Sequence, residues 1–553
     1  MEKFRYGKRE ETIKLYDENP LKMYLPKDET IFKAVESEIK RYSSFSIKDR
    51  LFGKSLLVKP SYLANLIKFI SKVNILINEG EIVEENVSKY NILRSFSLVG
   101  EGYKGGYGYD YTTAMPFGDS FDAVRRAVWF SLSGAIQDAY EKYSSKFGEI
   151  RKARREYDIL SKEKKVIDIE NDQSVEEELE KMDINLLVDR VIKVSKRMSR
   201  YSHIHDTPCS INLTRIVTYF INSEGTKIKM NDFYFYIKIG GLTFDSYGEL
   251  EIFKAISRKR FDINFDQLEK CGEEVVNALK ELINCERIEP GIYPVWMDGP
   301  MHAVIWHEGI GHLLERDPSS ETFLGKIGKK IAPHFINVEC DPTLKDGYGS
   351  YKYDDEGVPG QKVKLVENGI LKGFLHSRLT AGKIGRSSNG HARAGIDENE
   401  VAQCPPPSPR MSNLVIKPTV RFSQRELHRK FMELVRKSGK KYGIYCKGYR
   451  SGAVEIESGK NEIHPLEVFK VYSSGKMERI KDAYIISTPH LLINKVVACG
   501  EMEKGTGGYC SGSSGVIPTD EFAPSAIFEG IEFAREHKRN ERRPFLPKPK
   551  NKK

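Results

Sequence analysis

No stretch of this 553-residue chain approaches the run of about 18 apolar residues that a membrane-spanning helix needs. The first thirty residues are rich in lysine, arginine and glutamate, where a secretory signal peptide would have an apolar core. These two absences predict a protein that does not span a membrane and that resides in the cytoplasm. The composition, with 39% hydrophobic and 30% charged residues, excludes a collagen-like or low-complexity chain and predicts a globular protein.

Cysteine is also sparse, since the chain has eight cysteines at wide spacings and no C-x-x-C pair. This excludes a disulfide framework and a zinc ribbon. The sequence lacks the G-x-x-x-x-G-K-[ST] loop of nucleotide-binding proteins, and it contains no RNA-recognition or helix-turn-helix pattern. Most of the cysteines are expected to be unligated, small apolar side chains, including Cys340, Cys404, Cys446 and Cys499.

The basic charge of the chain is concentrated in one segment. The net charge is +10, but residues 538–553 contain eight lysines and arginines against Glu541 alone, which gives this segment +7 and leaves +3 for the rest. Three prolines and few apolar residues predict a solvated extension without fixed structure. An arm that binds nucleic acid or an acidic partner is the alternative, and deletion of residues 538–553 would distinguish the two. We expect no nucleic-acid partner.

Composition and periodicity predict an α+β protein. Residues 141–196 carry dense charges of both signs, which predicts an insertion of long, exposed helices that project from the body. Proline and glycine near residues 286–292 mark a boundary, after which strand and turn signals dominate. The predicted segments are 1–50 (variable and charged), 51–287 (an N-terminal α/β domain with the charged helices), 288–536 (a sheet-rich domain) and 537–553 (the basic tail).

Three local patterns predict particular elements. Apolar residues follow Ser120 at spacings of three and four as far as Ile136, which predicts a helix with one buried stripe. β-Branched and aromatic residues on both sides of the turn at 222–225 predict a β-hairpin. Asn368 and Gly369 predict a second, tighter hairpin.

The sequence H-E-x-x-x-H at His307, Glu308 and His312 lies in an apolar segment that we expect to be helical. Zinc peptidases commonly contain H-E-x-x-H, whose two histidines lie about 40° from each other around a helix. Histidines five residues apart would diverge by about 140° in a regular helix and could not meet one ion. A metal site therefore requires a π-bulge or another widened turn, which Gly309 and Gly311 would favour.

Structural roles are the alternative for each of these residues. His302 is expected to pack in the core or to support the site. His307 and His312 could also be core histidines, and Glu308 could be a surface glutamate. Two potential ligands, with an acid beside the first, inside one apolar segment favour a metal site. A third ligand must then come from another part of the chain.

The C-terminal half resembles the TldD/PmbA family of zinc metallopeptidases over about 220 residues. The resemblance is to the TldD-type member, because the PmbA-type partner lacks the H-E-x-x-x-H sequence. The first 200 residues match only vaguely, and their charged helices depart from the usual pattern. The collinear matching segments are residues 291–294, 307–312, 353–361, 367–373, 409–413, 456–460 and 505–512.

The resemblance implies one zinc ion per chain, bound by His307, His312 and Cys510. Imidazole nitrogen and thiolate sulfur are ligands that zinc prefers, and three protein ligands leave a fourth position for water, as in catalytic sites. Two neutral imidazoles and one thiolate leave the site at about +1, so the thiolate should weaken the acidification of water. Glu308 is then the expected general base, which takes a proton from the zinc-bound water and passes it to the leaving amine.

The family also implies a substrate and a partner. We expect hydrolysis of peptide bonds in unfolded or extended peptides, by residues 288–536 as the metallopeptidase domain, in a homodimer or a heterodimer with a PmbA-type subunit. A non-catalytic assembly or substrate-binding subunit is the alternative function. The cluster Asp354, Asp355 and Glu356 is expected either as a solvated turn or at the rim of the active site. His391 is expected in a polar loop that is either plain or in contact with substrate.

Overall fold

The computed structural model describes residues 14–51, 54–100, 105–110, 113–149, 159–169, 173–315, 323, 325–395, 406–455, 460–487, 489–505, 507–512 and 514–536. Over these residues the chain is an α+β protein with one large sheet in each half, which confirms the predicted fold class. The basic tail, Cys404 and residues 456–459 lie outside the described residues. Among the helices of the described part, none is both long and apolar enough to cross a membrane.

The N-terminal half has long strands and five helices within the described residues. Its elements are α1 (Asp28–Ser43), β1 (Ile47–Leu51), β2 (Lys54–Val58), β3 (Pro60–Asn78), β4 (Glu81–Val99), β5 (Gly106–Tyr109), α2 (Phe121–Glu149), β6 (Ile167–Asp168), α3 (Gln173–Lys181), α4 (Ile184–Met198), β7 (Cys209–Asn222), β8 (Lys227–Phe244), β9 (Glu249–Arg258) and α5 (Phe265–Ile283).

The N-terminal sheet is mainly antiparallel, with the strand order β5-β4-β3-β7-β8-β6 and with β9 paired to β8. The predicted hairpin is present as β7 and β8. The helix predicted after Ser120 is α2, whose buried stripe contains Val124, Val128, Leu132 and Ile136. Apolar spacing was therefore a sufficient signal for both elements, because each buries one regular face.

The described part of the charged segment 141–196 comprises the end of α2, the short strand β6, and the helices α3 and α4. The prediction of exposed helices is wrong for α4, which buries Leu187, Val188 and Val191 in a cluster shared with Val73 of β3 and Val275 of α5. The four basic residues of α4 are exposed, whereas Asp189 is buried, and the charges interspersed among the apolar residues hide the buried stripe in a window average.

The C-terminal half begins at β10. Its elements are β10 (Glu286–Arg287), β11 (Gly291–Met297), α6 (Gly299–Trp306), a π-helical turn (His307–Gly311), α7 (His312–Leu314), β12 (Ile336–Cys340), β13 (Val363–Glu367), β14 (Ile370–Leu371), α8 (Arg378–Gly382), β15 (Ala392–Arg393), β16 (Ser408–Pro409), β17 (Asn413–Pro418), α9 (Gln424–Lys437), β18 (Tyr442–Glu455), β19 (Lys460–Tyr472), β20 (Met477–Lys481), β21 (Ala483–Ser487), α10 (Pro489–Ile493), β22 (Val496–Lys504), β23 (Gly508–Cys510) and β24 (Ile517–Arg535).

The long strand β24 organises the C-terminal sheet. It pairs antiparallel with β11, β21, β22 and β23, and parallel with β17. The described strands of this sheet follow the order β10-β20-β19-β18-β11-β24-β17-β12-β13-β14. The predicted tight hairpin is present between β13 and β14, where Asn368 and Gly369 both have positive φ, at 51° and 75°. The helix α6 packs on β24 and β18, so the H-E-x-x-x-H segment lies against this sheet.

Ion pairs join the two halves, one of them largely buried and the other with an exposed carboxylate. Lys68 of β3 contacts Asp355 at 2.8 Å and donates to the carbonyl of Ala394 at 2.6 Å. Arg378 of α8 pairs with Glu224 at 2.8 Å. The N-terminal sheet is therefore fixed against the loops that surround the candidate site. A domain boundary near residues 286–292 stays a prediction, although the chain passes there from one sheet to the other.

Candidate metal centre

The H-E-x-x-x-H segment contains a widened turn. Asp298 caps the start of α6, and its carboxylate accepts from the backbone N–H of Met301 at 2.9 Å. The helix runs directly into the π-helical turn His307–Gly311. A π-turn adds one residue to the repeat and brings side chains five residues apart onto one face. Gly311 is needed there because an added Cβ would lie 2.2 Å from the sulfur of Met411.

His307, His312 and Cys510 lie together. The Nε2 atom of His307 is 3.3 Å from the Cys510 sulfur, and Nε2 of His312 is 3.4 Å from the same sulfur. Their potential ligand atoms all lie within 4.8 Å of one another. Cys510 ends β23, which pairs with the start of β24, so sheet pairing places the thiol against the helix. Three soft or borderline donors at this separation can hold one metal ion.

A carboxylate fixes each imidazole from behind. Nδ1 of His307 donates to Glu521 at 2.7 Å, and Nδ1 of His312 donates to Glu315 at 2.9 Å. Both rings therefore present Nε2 to the sulfur. Carboxylates in this position set the orientation of metal-binding histidines and raise their basicity.

Opposite charges meet at the three potential ligands and raise or lower their pKa values. Burial raises the pKa of the Cys510 thiol, but His307 and His312 outweigh this effect and lower it to about 6. Burial lowers the pKa of His312, but Glu315 and Cys510 raise it to about 10. The pKa of His307 likewise lies well above its usual 6.5, because the Cys510 thiolate and Glu521 outweigh burial. A metal cation bound here would replace the protons on the two Nε2 atoms.

Glu308 lies in the π-turn and is only 9% exposed. Its side chain contacts β18, since a Cβ added to Gly452 would be 3.0 Å from Cγ of Glu308 and 3.1 Å from its Oε1. The carboxylate is thus held in a narrow space beside His307, the first histidine of the motif.

A cavity of about 490 Å³ lies between the two sheets and reaches the strand that carries Cys510. The N-terminal sheet contributes Tyr236 and Phe253, and the C-terminal half contributes Tyr449 and Tyr509. Burial raises the pKa of Tyr449 well above 10, so its phenol stays a neutral hydrogen-bond donor. The cavity has the size of a site for a small molecule or a few residues of a peptide.

The other two histidines that the sequence singled out are buried. His302 donates from Nδ1 to the carbonyl of Pro524 at 2.7 Å and accepts at Nε2 from the indole of Trp306 at 2.8 Å. Burial lowers its pKa to about 4, so it is a neutral, fully bonded core residue. His391 is also fully buried and its Nδ1 contacts the carbonyl of Asn389 at 2.9 Å. A role for His391 in substrate contact stays a prediction.

The acidic cluster is not a solvated turn. Asp354 accepts from three backbone N–H groups, those of Glu356, Val358 and Ala392. Asp355 pairs with Lys68, as described above, and Glu356 accepts from the backbone of Arg378. Burial raises the pKa of Glu356 to about 7 and that of Asp354 well above 3.8. The alternative location at an active-site rim stays a prediction.

Three residues of the centre were missed by sequence analysis, namely Glu315, Glu521 and Arg410. Glu315 follows His312 by three residues, and this spacing on a helix is a usable signal. Glu521 and Arg410 have no local signal, because each is brought to the centre by strand pairing far along the chain. Among the described residues, Cys340, Cys446 and Cys499 are buried and join no group of metal-ligating side chains.

Comparison with known proteins agrees with this architecture. The family model for the PmbA/TldA metallopeptidase C-terminal domain matches residues 290–535. A metalloprotease of Methanocaldococcus jannaschii is 32% identical over 249 residues, or 44% of this chain and 51% of that protein. A zinc metalloprotease TldD homolog of Saccharolobus solfataricus is 37% identical over 136 residues, or 24% of this chain and 30% of that protein. The chain thus spans about half the length of the first relative and less of the second.

Among solved structures, TldE from Thermococcus kodakarensis matches 91% of this chain and 100% of its own, with a TM-score of 0.61 at 15% identity. At this identity the likeness is one of fold. It extends over both halves of the chain, whereas the family model begins near β11.

Proposed function

The chain belongs to the TldD/PmbA family, and we propose that it is a zinc metallopeptidase that hydrolyses peptide bonds of unfolded or extended peptides. The observation that carries the proposal is the convergence of His307, His312 and Cys510 at a widened helical turn. Two imidazole nitrogens and one thiolate suit Zn²⁺ and leave a position open, as in catalytic zinc sites. The buried carboxylates behind both rings support the same assignment.

When bound, Zn²⁺ supplies Lewis-acid chemistry that polarises the scissile carbonyl and makes water more acidic. Glu308 is proposed as the general base, because it lies next to His307 and is held nearly buried against Gly452. Its carboxylate accepts a proton from the attacking water and returns this proton to the leaving amine. His307, His312 and Cys510 would hold the ion, and Glu521 and Glu315 accept from Nδ1 of the two rings and so keep Nε2 free to bind it.

The cavity between the sheets is proposed as the peptide-binding cleft. Its aromatic walls offer apolar contact, and the phenol of Tyr449 offers a donor for a peptide carbonyl. A folded protein could not place a peptide bond in a space of about 490 Å³, which supports unfolded or extended substrates.

The test combines metal analysis with peptide hydrolysis. Purified protein is expected to contain about one zinc per chain, and Cys510→Ser is expected to lose most of it, whereas Cys499→Ser serves as a buried cysteine control that keeps it. Glu308→Gln should retain zinc but hydrolyse an unstructured peptide library about 10²- to 10⁴-fold more slowly.

The outcomes separate the parts of the proposal. Wild type without zinc, or Cys510→Ser with full zinc, would reject the ligand assignment. Unchanged activity in Glu308→Gln would reject the general base. Zinc without hydrolysis, alone and with a PmbA-type subunit, would favour the non-catalytic subunit in place of the peptidase.

We also propose that the active form is a homodimer or a heterodimer with a PmbA-type subunit. The family resemblance of residues 290–535 is the basis of this proposal. Light scattering of the protein alone and after mixing with a PmbA-type subunit should give the mass of a dimer. A monomer under both conditions that still hydrolyses peptides would contradict it.

A further inference from the structure

Arg410 is a buried cation at the centre of the candidate site, with 1% of its side chain exposed. Its Nη2 donates to the Cys510 sulfur at 3.1 Å and to the carbonyl of Cys510 at 2.9 Å. Nη1 donates to the carbonyl of Gly515 at 2.9 Å and to the hydroxyl of Ser514 at 3.3 Å. Nε donates to Glu315 at 3.3 Å. All three guanidinium nitrogens therefore donate hydrogen bonds, two of them to the loop that carries Cys510 and one to Glu315.

These contacts close a ring. Oε1 of Glu315 accepts from Arg410 and from the backbone N–H of Met411 at 2.9 Å, while Oε2 accepts from His312. His312 in turn contacts the Cys510 sulfur. Each of the four residues in the ring therefore contacts two others, and a displacement of one of them disturbs both of its neighbours.

Two glycines make room for this arrangement. A Cβ added to Gly512 would lie 2.6 Å from Cζ and 2.6 Å from Nη1 of Arg410. A Cβ added to Gly311 would lie 2.2 Å from the sulfur of Met411. Residues 410 and 411 thus fit between the π-turn and the Cys510 loop, in contact with both.

A buried guanidinium is costly unless it is paired and fully hydrogen-bonded. Here its partners are the carboxylate that supports one histidine and the sulfur that would be a ligand itself. A thiolate that accepts an N–H···S bond from a cation donates less electron density to a bound metal ion.

We infer that Arg410 is a positioning residue that fixes Cys510 and His312 relative to each other and weakens the thiolate as a donor to the metal. The inference rests on the proposed metal site. In this role Arg410 affects two quantities, the affinity of the site for the ion and the acidity that the ion induces in water.

The test uses protein loaded with Co²⁺, whose thiolate-to-metal charge-transfer band reports the electron density on sulfur. Arg410→Met should shift this band to longer wavelength, because the sulfur loses an N–H donor. It should also lower metal affinity about 10- to 100-fold in competition with a chelator, because the loss of fixed positions for Cys510 and His312 outweighs the stronger thiolate donor. Arg393→Met is the matched control. Arg393 is also buried and donates to the carbonyl of Met411 at 2.9 Å. Arg393 also donates to the carbonyl of Pro518 at 2.7 Å and does not bond the Cys510 sulfur in the described structure, so its loss should leave the band in place.

A second pair of variants covers the case in which Arg410→Met does not fold. Gly512→Ala should displace the guanidinium and reproduce the shift, whereas Gly508→Ala, whose Cβ would meet nothing within 4 Å, should not. Glu315→Gln should weaken binding while the band stays close to wild type, because the N–H···S bond remains.

An unshifted band in Arg410→Met and Gly512→Ala, or an equal shift in Arg393→Met, would overturn the inference while the proposed metallopeptidase stands. Wild-type protein that binds Co²⁺ without any thiolate band would overturn the ligand assignment of Cys510, and this inference with it.

Discussion

Gly452 of β18 faces Glu308 across the π-turn, with a Cβ position only 3.0 Å from Cγ of the glutamate and 3.1 Å from Cγ2 of Val304. This is tighter than ordinary van der Waals contact. The sheet therefore limits where the proposed general base can lie, and any side chain at position 452 would share its space.

Gly452→Ala is expected to lower the rate of peptide hydrolysis about 10- to 100-fold, because a catalytic group displaced by a fraction of an ångström loses alignment. Zinc content should not change, since the donors are not touched. Gly118→Ala, where a Cβ meets nothing within 4 Å, is the control in steady-state assays. Full activity of Gly452→Ala would show that Glu308 does not need its observed position.

Zinc affinity is expected to fall steeply with decreasing pH. The pKa of His312 is raised to about 10 and that of His307 lies well above 6.5, so a bound ion competes with protons for the Nε2 atoms of both rings. Each displaced proton weakens apparent affinity about tenfold per pH unit. Below about pH 6 the Cys510 thiol adds a third proton.

Chelator competition at several pH values measures this slope, and calorimetry in buffers of different ionisation enthalpy counts the protons released. His302 should contribute nothing, because its pKa of about 4 leaves it neutral throughout. A zinc affinity that is the same at pH 6 and pH 8 would contradict the raised pKa values of His307 and His312.

His302→Phe is expected to destabilise the protein by about 2–4 kcal/mol without changing the zinc content. The substitution removes the donor to Pro524 and the acceptor for Trp306, which leaves two buried polar groups unpaired. Denaturant unfolding measures the loss. Trp306→Phe removes only the indole donor, so it should lose less hydrogen-bond energy than His302→Phe. Loss of zinc in His302→Phe would contradict this structural role and indicate that His302 is a ligand.

The free energy of unfolding of Glu356→Gln, relative to that of wild type, should increase as the pH rises. Burial raises the folded-state pKa of Glu356 to about 7, against 4.5 in the unfolded chain, although Arg378 acts in the opposite direction. Between these two values the folded protein binds a proton that the unfolded chain does not, so wild-type stability falls as the pH rises from about 4.5 to 7. The glutamine keeps an acceptor for the backbone of Arg378 and carries no charge.

Relative to wild type, Glu356→Gln should therefore gain roughly 2–3 kcal/mol in free energy of unfolding between pH 5 and pH 8. Glu367→Gln is the contrasting variant, since Glu367 is exposed and Lys364 lowers its pKa. A constant difference between Glu356→Gln and wild type at both pH values would mean that Glu356 ionises normally.

Local signals predicted the local part of the centre. His307 and His312 lie in one apolar segment, and their spacing alone required the widened turn that the structure contains. Cys510 is 198 residues from His312 and was linked to it only through the family resemblance. No periodicity relates residues that meet through pairing of β23 with β24, which is also why Glu521 and Arg410 were missed.

Charge density hid burial in two places. A solvated turn was one of the two expectations for residues 354–356, yet three backbone N–H groups and Lys68 satisfy carboxylates of this cluster inside the protein. The helix α4 read as exposed, yet every third or fourth residue is apolar and buried. In both cases the partners lie on other elements, and a sequence pattern does not record them.

The walls of the cavity between the two sheets come from two different parts of the chain. Tyr236 and Phe253 belong to β8 and β9, before the segment that matches the family model, whereas Tyr449 and Tyr509 lie within it. Mutation in β8 and β9 can change the shape of the cavity while the metal donors stay the same. The fold thus builds the proposed cleft from both halves of the chain and places all three proposed metal donors in only one of them.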